Sequence, residues 1–373
     1  MPQFANFYIH TPYCETKCHY CDFFSLPEAQ HNSNDRARIY DAIVGELDLN
    51  KAALGKSAAT VFFGGGTPSL APLEVMQQLI ERLPIDATTE VTMEANPSSI
   101  TPERARAWRA MGINRISMGM QALNDERLGW LGRVHDSAGT FRALETLFES
   151  GFERVSVDYI VGVPGQTREL IRDEIKSLLQ RFPKIRHMSA YLLTLKTSNS
   201  KFDQLPSDDE QLAHLRTIRD VLAERDFEQY EISNFAQPGA RALHNENYWL
   251  GGGYLGIGPS AHSYWPWNKR RAKNWASLGK YSELISGGTI PIEWDETLSD
   301  EQLRLEHIML RLRRRDGLDL KEYAARFGKD LSLENQALLE AYEKRGICTL
   351  KGGRLTLVGD GFFLSDEIIS KIS

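Results

Sequence analysis

Three closely spaced cysteines carry the strongest chemical signal in this sequence. Cys14, Cys18 and Cys21 form the pattern Cys-x3-Cys-x2-Cys, directly after a short apolar strand-like run. Three thiolates on one short loop can bind three irons of a four-iron cluster and leave the fourth iron open. An open iron suits a reactive cluster, whereas four protein ligands suit electron transfer or structure. The spacing therefore predicts a redox-active iron–sulfur cluster on these three residues.

A zinc site is the alternative for these thiols, with a fourth ligand supplied from nearby. The candidate ligands are His10, His19 and Asp22. Zinc sites more often pair two Cys-x2-Cys units, or combine cysteines with spaced histidines, so the triplet favours iron and sulfur. The remaining cysteine, Cys348, lies far along the chain, and we expect it to be an ordinary core residue.

The composition restricts the class of protein. A chain of 373 residues is longer than one usual domain and predicts a large domain with a smaller one. The net charge of −6 argues against a broad nucleic-acid interface, which needs a basic face. The start of the sequence lacks the pattern of a secretory signal, and no apolar run approaches the roughly 18 residues of a membrane span. We expect a cytoplasmic protein with no transmembrane segment.

Strand-like and helix-like segments alternate through the first 200 residues. The predicted strands are Asn6–His10, Thr60–Phe63, Glu90–Glu94, Arg115–Gly119, Arg154–Tyr159 and His187–Thr194. The predicted amphipathic helices between them include Pro72–Arg82, Pro102–Met111, Ala138–Ser150 and Arg168–Arg181. This alternation indicates an α/β fold with a parallel sheet of about six units, a partial (β/α)6 TIM-like barrel.

The composition and the pattern of apolar residues change twice beyond this region. We predict that residues 1–204 form the barrel and that residues 205–294 form a continuation rich in glycine and aromatic residues. Residues 295–373 are predicted to form a smaller α+β domain of winged-helix type. There, apolar residues at helical spacing precede two short helices and a hairpin of Cys348–Leu350 and Leu355–Leu357.

Glycines and polar residues stand at the ends of successive predicted strands. The turn Gly64–Pro68 follows the second strand, and its glycines would let the backbone approach a ligand and offer N–H groups to it. Glu94, Gln121, Arg133 and Asp158 lie at or after the next strand ends. In a parallel barrel the chemistry gathers at this edge. Acids, an amide and an arginine together suit a ligand that carries an amine, a carboxylate and hydroxyl groups.

These motifs identify a family resemblance. The triplet, placed after the run from Phe7 to Pro12, resembles the radical S-adenosylmethionine (SAM) superfamily, and more closely the oxygen-independent coproporphyrinogen III oxidases. Matching segments run from Tyr8 to His262, and the C-terminal module also fits. The resemblance implies a [4Fe-4S] cluster that binds and reductively cleaves SAM. It implies that the methionine part of SAM is held by Gly65, Gly66 and Thr67. It assigns the remaining contacts to Tyr8, Glu94, Gln121, Arg133 and Asp158.

Two departures argue against the decarboxylase activity of that family. Phe23 stands where the oxidases carry a further cysteine, and the sequence reaches Cys14 without their long N-terminal extension. A motif points elsewhere, because His-Asn-x-x-Tyr-Trp at residues 244–249 resembles the heme chaperone branch of the family. Imidazole is a common heme ligand and aromatic rings pack on porphyrin faces. Without the family, a polar rim histidine beside a core tryptophan would be the simpler interpretation of His244.

The leading hypothesis is therefore a chaperone that binds heme through His244 and passes it to apo-hemoproteins, with a reductant for the cluster. His262 is a second, weaker candidate for the heme ligand. The alternative is an enzyme that decarboxylates coproporphyrinogen III to protoporphyrinogen IX. A third class, an RNA-modifying radical enzyme, is suggested by the winged-helix-like tail, but the acidic balance disfavours it. No nucleic-acid partner is expected.

Overall fold

The computed structural model describes residues 3–372, and its first half alternates strands with helices. The strands are β1 (Asn6–Thr11), β2 (Tyr13–Cys14), β3 (Leu26–Pro27), β4 (Thr60–Gly65), β5 (Glu90–Ala95), β6 (Arg115–Gln121), β7 (Arg154–Val161) and β8 (His187–Leu192). The helices are α1 (Ser33–Leu49), α2 (Leu73–Arg82), α3 (Pro102–Ala110), α4 (Asp125–Trp130), α5 (Ser137–Glu149) and α6 (Arg168–Arg181). Every predicted strand and helix of this region is present, with ends that differ by at most two residues.

The second half contains shorter strands. They are β9 (Glu228–Gln229), β10 (Asn234–Ala236), β11 (Leu255–Ile257), β12 (His262–Trp265), β13 (Arg270–Asn274), β14 (Ile292–Thr297), β15 (Leu318–Asp319), β16 (Cys348–Lys351) and β17 (Arg354–Leu357). Its helices are α7 (Asp208–Ala223), α8 (Leu243–Trp249), α9 (Leu278–Ser286), α10 (Asp300–Leu312), α11 (Leu320–Phe327), α12 (Leu331–Glu334), α13 (Gln336–Lys344) and α14 (Ser365–Ile372).

The central sheet is an open parallel barrel. Its nine strands follow the order β11-β1-β4-β5-β6-β7-β8-β10-β9. The strands from β11 to β8 in this order run parallel, whereas β10 and β9 add antiparallel strands at one edge. The outer strands β11 and β9 are not hydrogen-bonded to each other, so the barrel is partial, as the sequence predicts. The carboxyl ends of seven parallel strands therefore meet at one rim.

The alternation of side chains along the strands separates the core from the barrel interior. On β1 and β4, Phe7, Ile9, Val61 and Phe63 are fully buried in the hydrophobic core shared with the helices. The residues between them face the other side, where a Cβ on Gly64 would lie within 3.2 Å of the Tyr8 ring and the Glu94 carboxylate. The interior face is therefore the one that carries polar side chains.

Local sequence signals fix the helix starts. The Thr101 side chain accepts a hydrogen bond from the backbone N–H of Arg104, and Pro102 occupies the first turn of α3. This arrangement stabilises the helix start, because the first helical N–H groups have no intrahelical partner and proline lacks an N–H. The N-terminus of α7 is also capped, because Ser207 and Glu210 form a reciprocal capping box there.

The C-terminal segment has a core of its own. It is formed by residues from α10 onward, including Ile308, Leu312, Tyr323 and Leu355. Cys348 is buried there, as expected of a core cysteine. Three helices precede the hairpin β16–β17, where the sequence predicts two, and β15 joins it as a third strand. Within residues 3–372, no helix is both long and apolar enough to cross a bilayer.

Candidate cofactor site

A cavity of about 450 Å³ opens at the rim where the parallel strands end. It joins the cysteine loop to the polar strand ends. The predicted site residues in its lining are Cys14, Cys18, Cys21, Gly65, Gly66, Thr67, Glu94, Gln121, Arg133 and Asp158. These residues span 145 positions of sequence, from 14 to 158, and the parallel topology is what brings them to one place.

The cysteine loop is folded against this cavity. All three thiols are partly buried, and a turn brings the N–H of Cys21 to 3.2 Å from the carbonyl oxygen of Cys18. The Arg133 guanidinium donates a hydrogen bond of 3.7 Å to the Cys18 sulfur. Burial raises the pKa of Cys21, although the Phe23 backbone and the Lys17 ammonium oppose the shift. The loop thus combines desolvated thiols with cations that favour thiolates, the form that binds iron.

The geometry does not favour zinc at this loop. His10 and His19 each bring a ring nitrogen to a backbone carbonyl oxygen, at 2.8 and 2.7 Å, and Asp22 pairs with Lys196 at 2.9 Å. Among residues 3–372, no three His, Cys, Asp or Glu side chains converge closely enough to hold a single metal ion. A structural zinc ion needs four ligands within about 2.0–2.3 Å of one centre. In a four-iron cluster, by contrast, the thiolates bind different irons.

The glycine turn after β4 holds the cysteine loop. The N–H of Gly66 donates to the carbonyl oxygen of Thr11 at 2.7 Å, and the N–H of Thr67 donates to that of Tyr13 at 2.7 Å. The prediction that the glycines of this turn offer their N–H groups to a ligand is therefore wrong for Gly66. A Cβ on Gly66 would lie 2.5 Å from the Tyr13 carbonyl oxygen, so glycine is required by the backbone contact itself.

Two buried carboxyl groups lie at the polar end of the cavity. Burial, together with the nearby charge of Asp158, raises the pKa of Glu94 to about 8. Burial also raises the pKa of Asp158 to about 6, despite a hydrogen bond of 3.2 Å from the Ser117 hydroxyl. A carboxyl group that lacks solvent and a close counter-ion gains most from a cationic ligand. The pair therefore fits the amine and the sulfonium of SAM.

Unsatisfied polar atoms in the lining also fit a polar ligand. Gln121 has a positive φ of 67°, and its buried Oε1 has no hydrogen-bond partner. The Nε atom of Arg133 is likewise buried without a partner, while its other nitrogens bind Asn96 and Gly119. Left-handed backbone at a residue other than glycine is uncommon and concentrates at functional sites. A bound ligand with hydroxyl or carboxylate groups would supply the missing partners.

Tyr8 is not among the residues that line the cavity. Its hydroxyl is 3.2 Å from His10 Nδ1, and its ring stacks on Phe62 at 6.2 Å. The charge of Glu94 and, above all, burial raise the pKa of Tyr8 well above its usual value. Tyr8 therefore lies near Glu94 without lining the cavity, and a direct contact between Tyr8 and SAM stays a prediction.

His244 lies on α8, away from the cavity. It is 1% exposed, with Nδ1 at 2.7 Å from the Thr60 hydroxyl and Nε2 at 2.8 Å from the Tyr248 hydroxyl. Its ring stacks on Phe62 at 5.1 Å, and burial lowers its pKa to about 3. Both ring nitrogens are engaged in this conformation, so ligation of an iron by His244 requires both hydrogen bonds to break.

Several lining residues were not predicted as site residues. Asn96 donates to the Thr67 hydroxyl at 3.2 Å and accepts from Arg133, which links the ends of β4 and β5 to the loop after α4. Tyr191 and Leu192 extend the lining at the end of β8 with partly exposed apolar surface. Asn96 follows directly after the end of β5, so the rule that polar residues at strand ends gather in a barrel would have found it.

Comparisons with known proteins agree with this arrangement. The model of the radical SAM superfamily matches residues 8–178, and the model of the HemN C-terminal domain matches residues 298–364. The heme chaperone HemW of Mycobacterium tuberculosis H37Rv is 33% identical over 379 residues, with 97% of this chain and 93% of that protein covered. HemW of Escherichia coli K12 is 36% identical over 268 residues and 69% of each chain.

The solved structures include a close match in fold. Coproporphyrinogen III oxidase (HemN) from Escherichia coli superposes with a TM-score of 0.84 over 100% of this chain and 91% of that one, at 21% identity. At this identity the match establishes the fold of the barrel and of the C-terminal domain.

Proposed function

Because the chain belongs to the HemW family of heme chaperones within the radical SAM superfamily, we propose that it binds heme and delivers it to apo-hemoproteins. The proposal includes a [4Fe-4S] cluster and SAM as cofactors, a reductant for the cluster and a cytoplasmic location. The observation that carries it is the single cavity that unites the cysteine triplet with the polar strand ends. That the cargo is heme is inferred from the family relationship.

The cofactor contacts are proposed from the family resemblance, and all of the assigned residues except Tyr8 line the cavity. The cluster is assigned to Cys14, Cys18 and Cys21. The methionine part of SAM is assigned to Gly65, Gly66 and Thr67, and its other contacts to Tyr8, Glu94, Gln121, Arg133 and Asp158. Bound together, the cluster and SAM supply one-electron chemistry that no side chain of the protein can provide.

The chain itself prepares this site for a cationic ligand. With a pKa of about 8, Glu94 is largely protonated at neutral pH in the empty cavity. A sulfonium or ammonium group beside it favours the carboxylate, so binding is expected to release a proton. Arg133 donates hydrogen bonds to Asn96 and to the Cys18 sulfur, which links the cysteine loop to the segment after β5.

The test is anaerobic purification followed by heme titration with and without SAM. We expect the three-cysteine variant Cys14→Ser/Cys18→Ser/Cys21→Ser to lose its iron, and the wild-type chain to bind heme with one equivalent per chain. Incubation with coproporphyrinogen III under the same conditions tests the alternative. Formation of protoporphyrinogen would identify a decarboxylase, and failure of the wild-type chain to bind heme would refute the chaperone proposal.

A further inference from the structure

The nine histidines, all within the described residues 3–372, differ in whether a ring nitrogen is free for a metal. Seven are buried or hydrogen-bonded through the ring, namely His10, His19, His135, His187, His214, His244 and His307. Of the other two, His31 is partly buried with its ring at 5.4 Å from that of Tyr13. His262 is exposed, and no residue of the described chain hydrogen-bonds its ring. It is the most accessible imidazole of the protein.

His262 lies on the same face of a three-stranded sheet as a lysine and a tryptophan of the neighbouring strands. Strand register pairs it with Lys273 on β13, which in turn pairs with Trp294 on β14. Residues directly opposite one another on neighbouring strands project from the same face of a sheet. The Trp294 ring lies 6.0 Å from the His262 ring, edge to face, and is 39% exposed. An imidazole, an ammonium and an indole thus share one solvent-facing surface.

The loop before His262 is held firmly. Buried Glu46 accepts hydrogen bonds from the N–H of Gly258 and from the Asn274 side chain, each at 2.7 Å. Ser260 has a positive φ of 64°, a conformation that L residues adopt only when their surroundings impose it. The network therefore fixes the start of β12 and presents His262 in a defined position.

The loop that leads to this surface packs near the cysteine loop. A Cβ on Gly258, in the loop before His262, would lie 2.3 Å from the carbonyl oxygen of His10. His10 in turn bonds the carbonyl oxygen of Phe24 at 2.8 Å, three residues beyond Cys21. The loop that leads into β12 therefore packs against the end of β1, the strand that precedes the cysteine loop.

From this arrangement we propose that His262 is the axial ligand of heme iron, with Trp294 against the porphyrin and Lys273 facing its carboxylates. The inference rests on the proposed heme function and names the ligand within it. Lys273 pairs with Glu293 at 2.9 Å, so a heme propionate would replace that partner. Partial burial and the charges of Lys273 and Arg271 lower the pKa of His262, so its ring is neutral at physiological pH, as metal ligation requires.

The experiment compares heme binding by the full chain, with its cluster reconstituted under anaerobic conditions, in three forms. These are wild type, His262→Ala and the matched control His31→Ala. We expect His262→Ala to raise the Kd for heme by at least about tenfold, the loss of a contact worth about 1.4 kcal/mol, and to shift the Soret band. His31→Ala should leave both unchanged. Iron-free protoporphyrin IX is the second probe, and it should bind wild type and His262→Ala equally.

Each outcome has a distinct meaning. If the wild-type chain binds no heme, the proposed function fails and this inference fails with it. If the wild type binds heme and His262→Ala binds it with the same Kd and spectrum, the inference is overturned while the proposed function stands. If His262→Ala weakens heme and protoporphyrin IX alike, the residue does not act through iron and ligation is refuted. The Tm of His262→Ala is measured as a control, and a value equal to that of the wild type excludes a folding defect.

Discussion

The histidine of the His-Asn-x-x-Tyr-Trp motif is expected to be essential for stability. Replacing His244 by alanine removes a fully buried ring that stacks on Phe62 and contacts the hydroxyl groups of Thr60 and Tyr248. Thr60 retains a second hydrogen bond, to Asn6 at 2.9 Å, but no other partner is present in the described chain for the Tyr248 hydroxyl. The variant therefore contains both a cavity and an unsatisfied buried hydroxyl.

The magnitude follows from these two losses. Truncation of a large buried side chain costs about 2–5 kcal/mol, and a buried hydroxyl left without a partner costs about 1–3 kcal/mol. We expect His244→Ala to lower the free energy of unfolding at pH 7.5 by about 3–8 kcal/mol. The variant Tyr248→Phe removes only the hydroxyl and should cost about 1 kcal/mol. His262→Ala, at an exposed position, should change stability by less than about 0.5 kcal/mol.

The pH dependence adds an independent check. Burial lowers the pKa of His244 to about 3 from its usual value near 6.5, so the folded state keeps the ring neutral while the unfolded state takes up a proton below pH 6.5. The unfolded state then binds more protons, and the wild type loses stability as the pH falls from 6.5 toward 3. At pH 5 this loss is about 2 kcal/mol, and His244→Ala does not suffer it. The difference between the two proteins should therefore shrink by about 2 kcal/mol from pH 7.5 to pH 5.

Urea denaturation at both pH values, followed by far-UV circular dichroism, measures these quantities. A difference of less than about 1 kcal/mol between wild type and His244→Ala at pH 7.5 would refute the buried position of the ring. A pH-independent difference would show that the imidazole is solvated in the native state. Heme titration of His244→Ala must be done without urea and at a temperature well below the Tm of the variant. A loss of binding by unfolded protein would say nothing about iron ligation.

Three further predictions concern the cluster loop and the buried carboxyl groups. Cys14→Ser should lose most of its iron and its visible absorbance after anaerobic reconstitution, whereas Cys348→Ser should keep both, as measured by iron analysis and optical spectra. Gly66→Ala places a Cβ 2.5 Å from the Tyr13 carbonyl oxygen and should destabilise the protein by about 2 kcal/mol and weaken SAM binding, measured by urea unfolding and calorimetry. Burial raises the pKa of Glu46 to about 7 from its usual value near 4.5, so the folded state holds more protons than the unfolded state between these pH values. The free energy of unfolding should therefore fall by about 3 kcal/mol from pH 4.5 to pH 7 because of this residue. In Glu46→Gln the fall, measured by urea unfolding, should be smaller by that amount.

The sequence predicts the barrel well because its strands are short apolar runs with clear ends. The segment Arg154–Val161, for example, is bounded by a glycine turn on either side, and its last polar residue, Asp158, faces the cavity. The helix Ser33–Leu49 is absent from the sequence-based prediction, since it follows the cysteine loop without a preceding apolar strand and it buries the charged Glu46. Its position depends on tertiary partners such as Tyr281, 235 residues away, and local pattern holds no information about them.

The sequence predicts which residues line the site, but not which hydrogen bonds they make. Polar residues at parallel strand ends share a rim by topology alone, and this placed Glu94, Gln121 and Asp158 in one cavity. Whether an N–H at that rim is free depends on what packs behind it. The N–H groups of Gly66 and Thr67 are used by the cysteine loop, a contact between segments more than 50 residues apart.

The same reasoning separates the two heme-ligand candidates. A chaperone must release its cargo to a recipient, so its iron ligand has to exchange without unfolding of the surrounding structure. His244 can reach an iron only after both of its hydrogen bonds break and its ring leaves a position that is 1% exposed, a change that costs several kcal/mol at every transfer. His262 makes no such bonds in the described chain and its side chain is exposed, so as the proposed ligand it would exchange with an imidazole of an apo-hemoprotein without that cost. The His244 ring instead packs α8 against β4, through its bond to Thr60 and its stacking on Phe62, whose ring also stacks on Tyr8. The motif around His244 would then stabilise the strands that carry the cofactor site, while the proposed ligand His262 remains able to exchange.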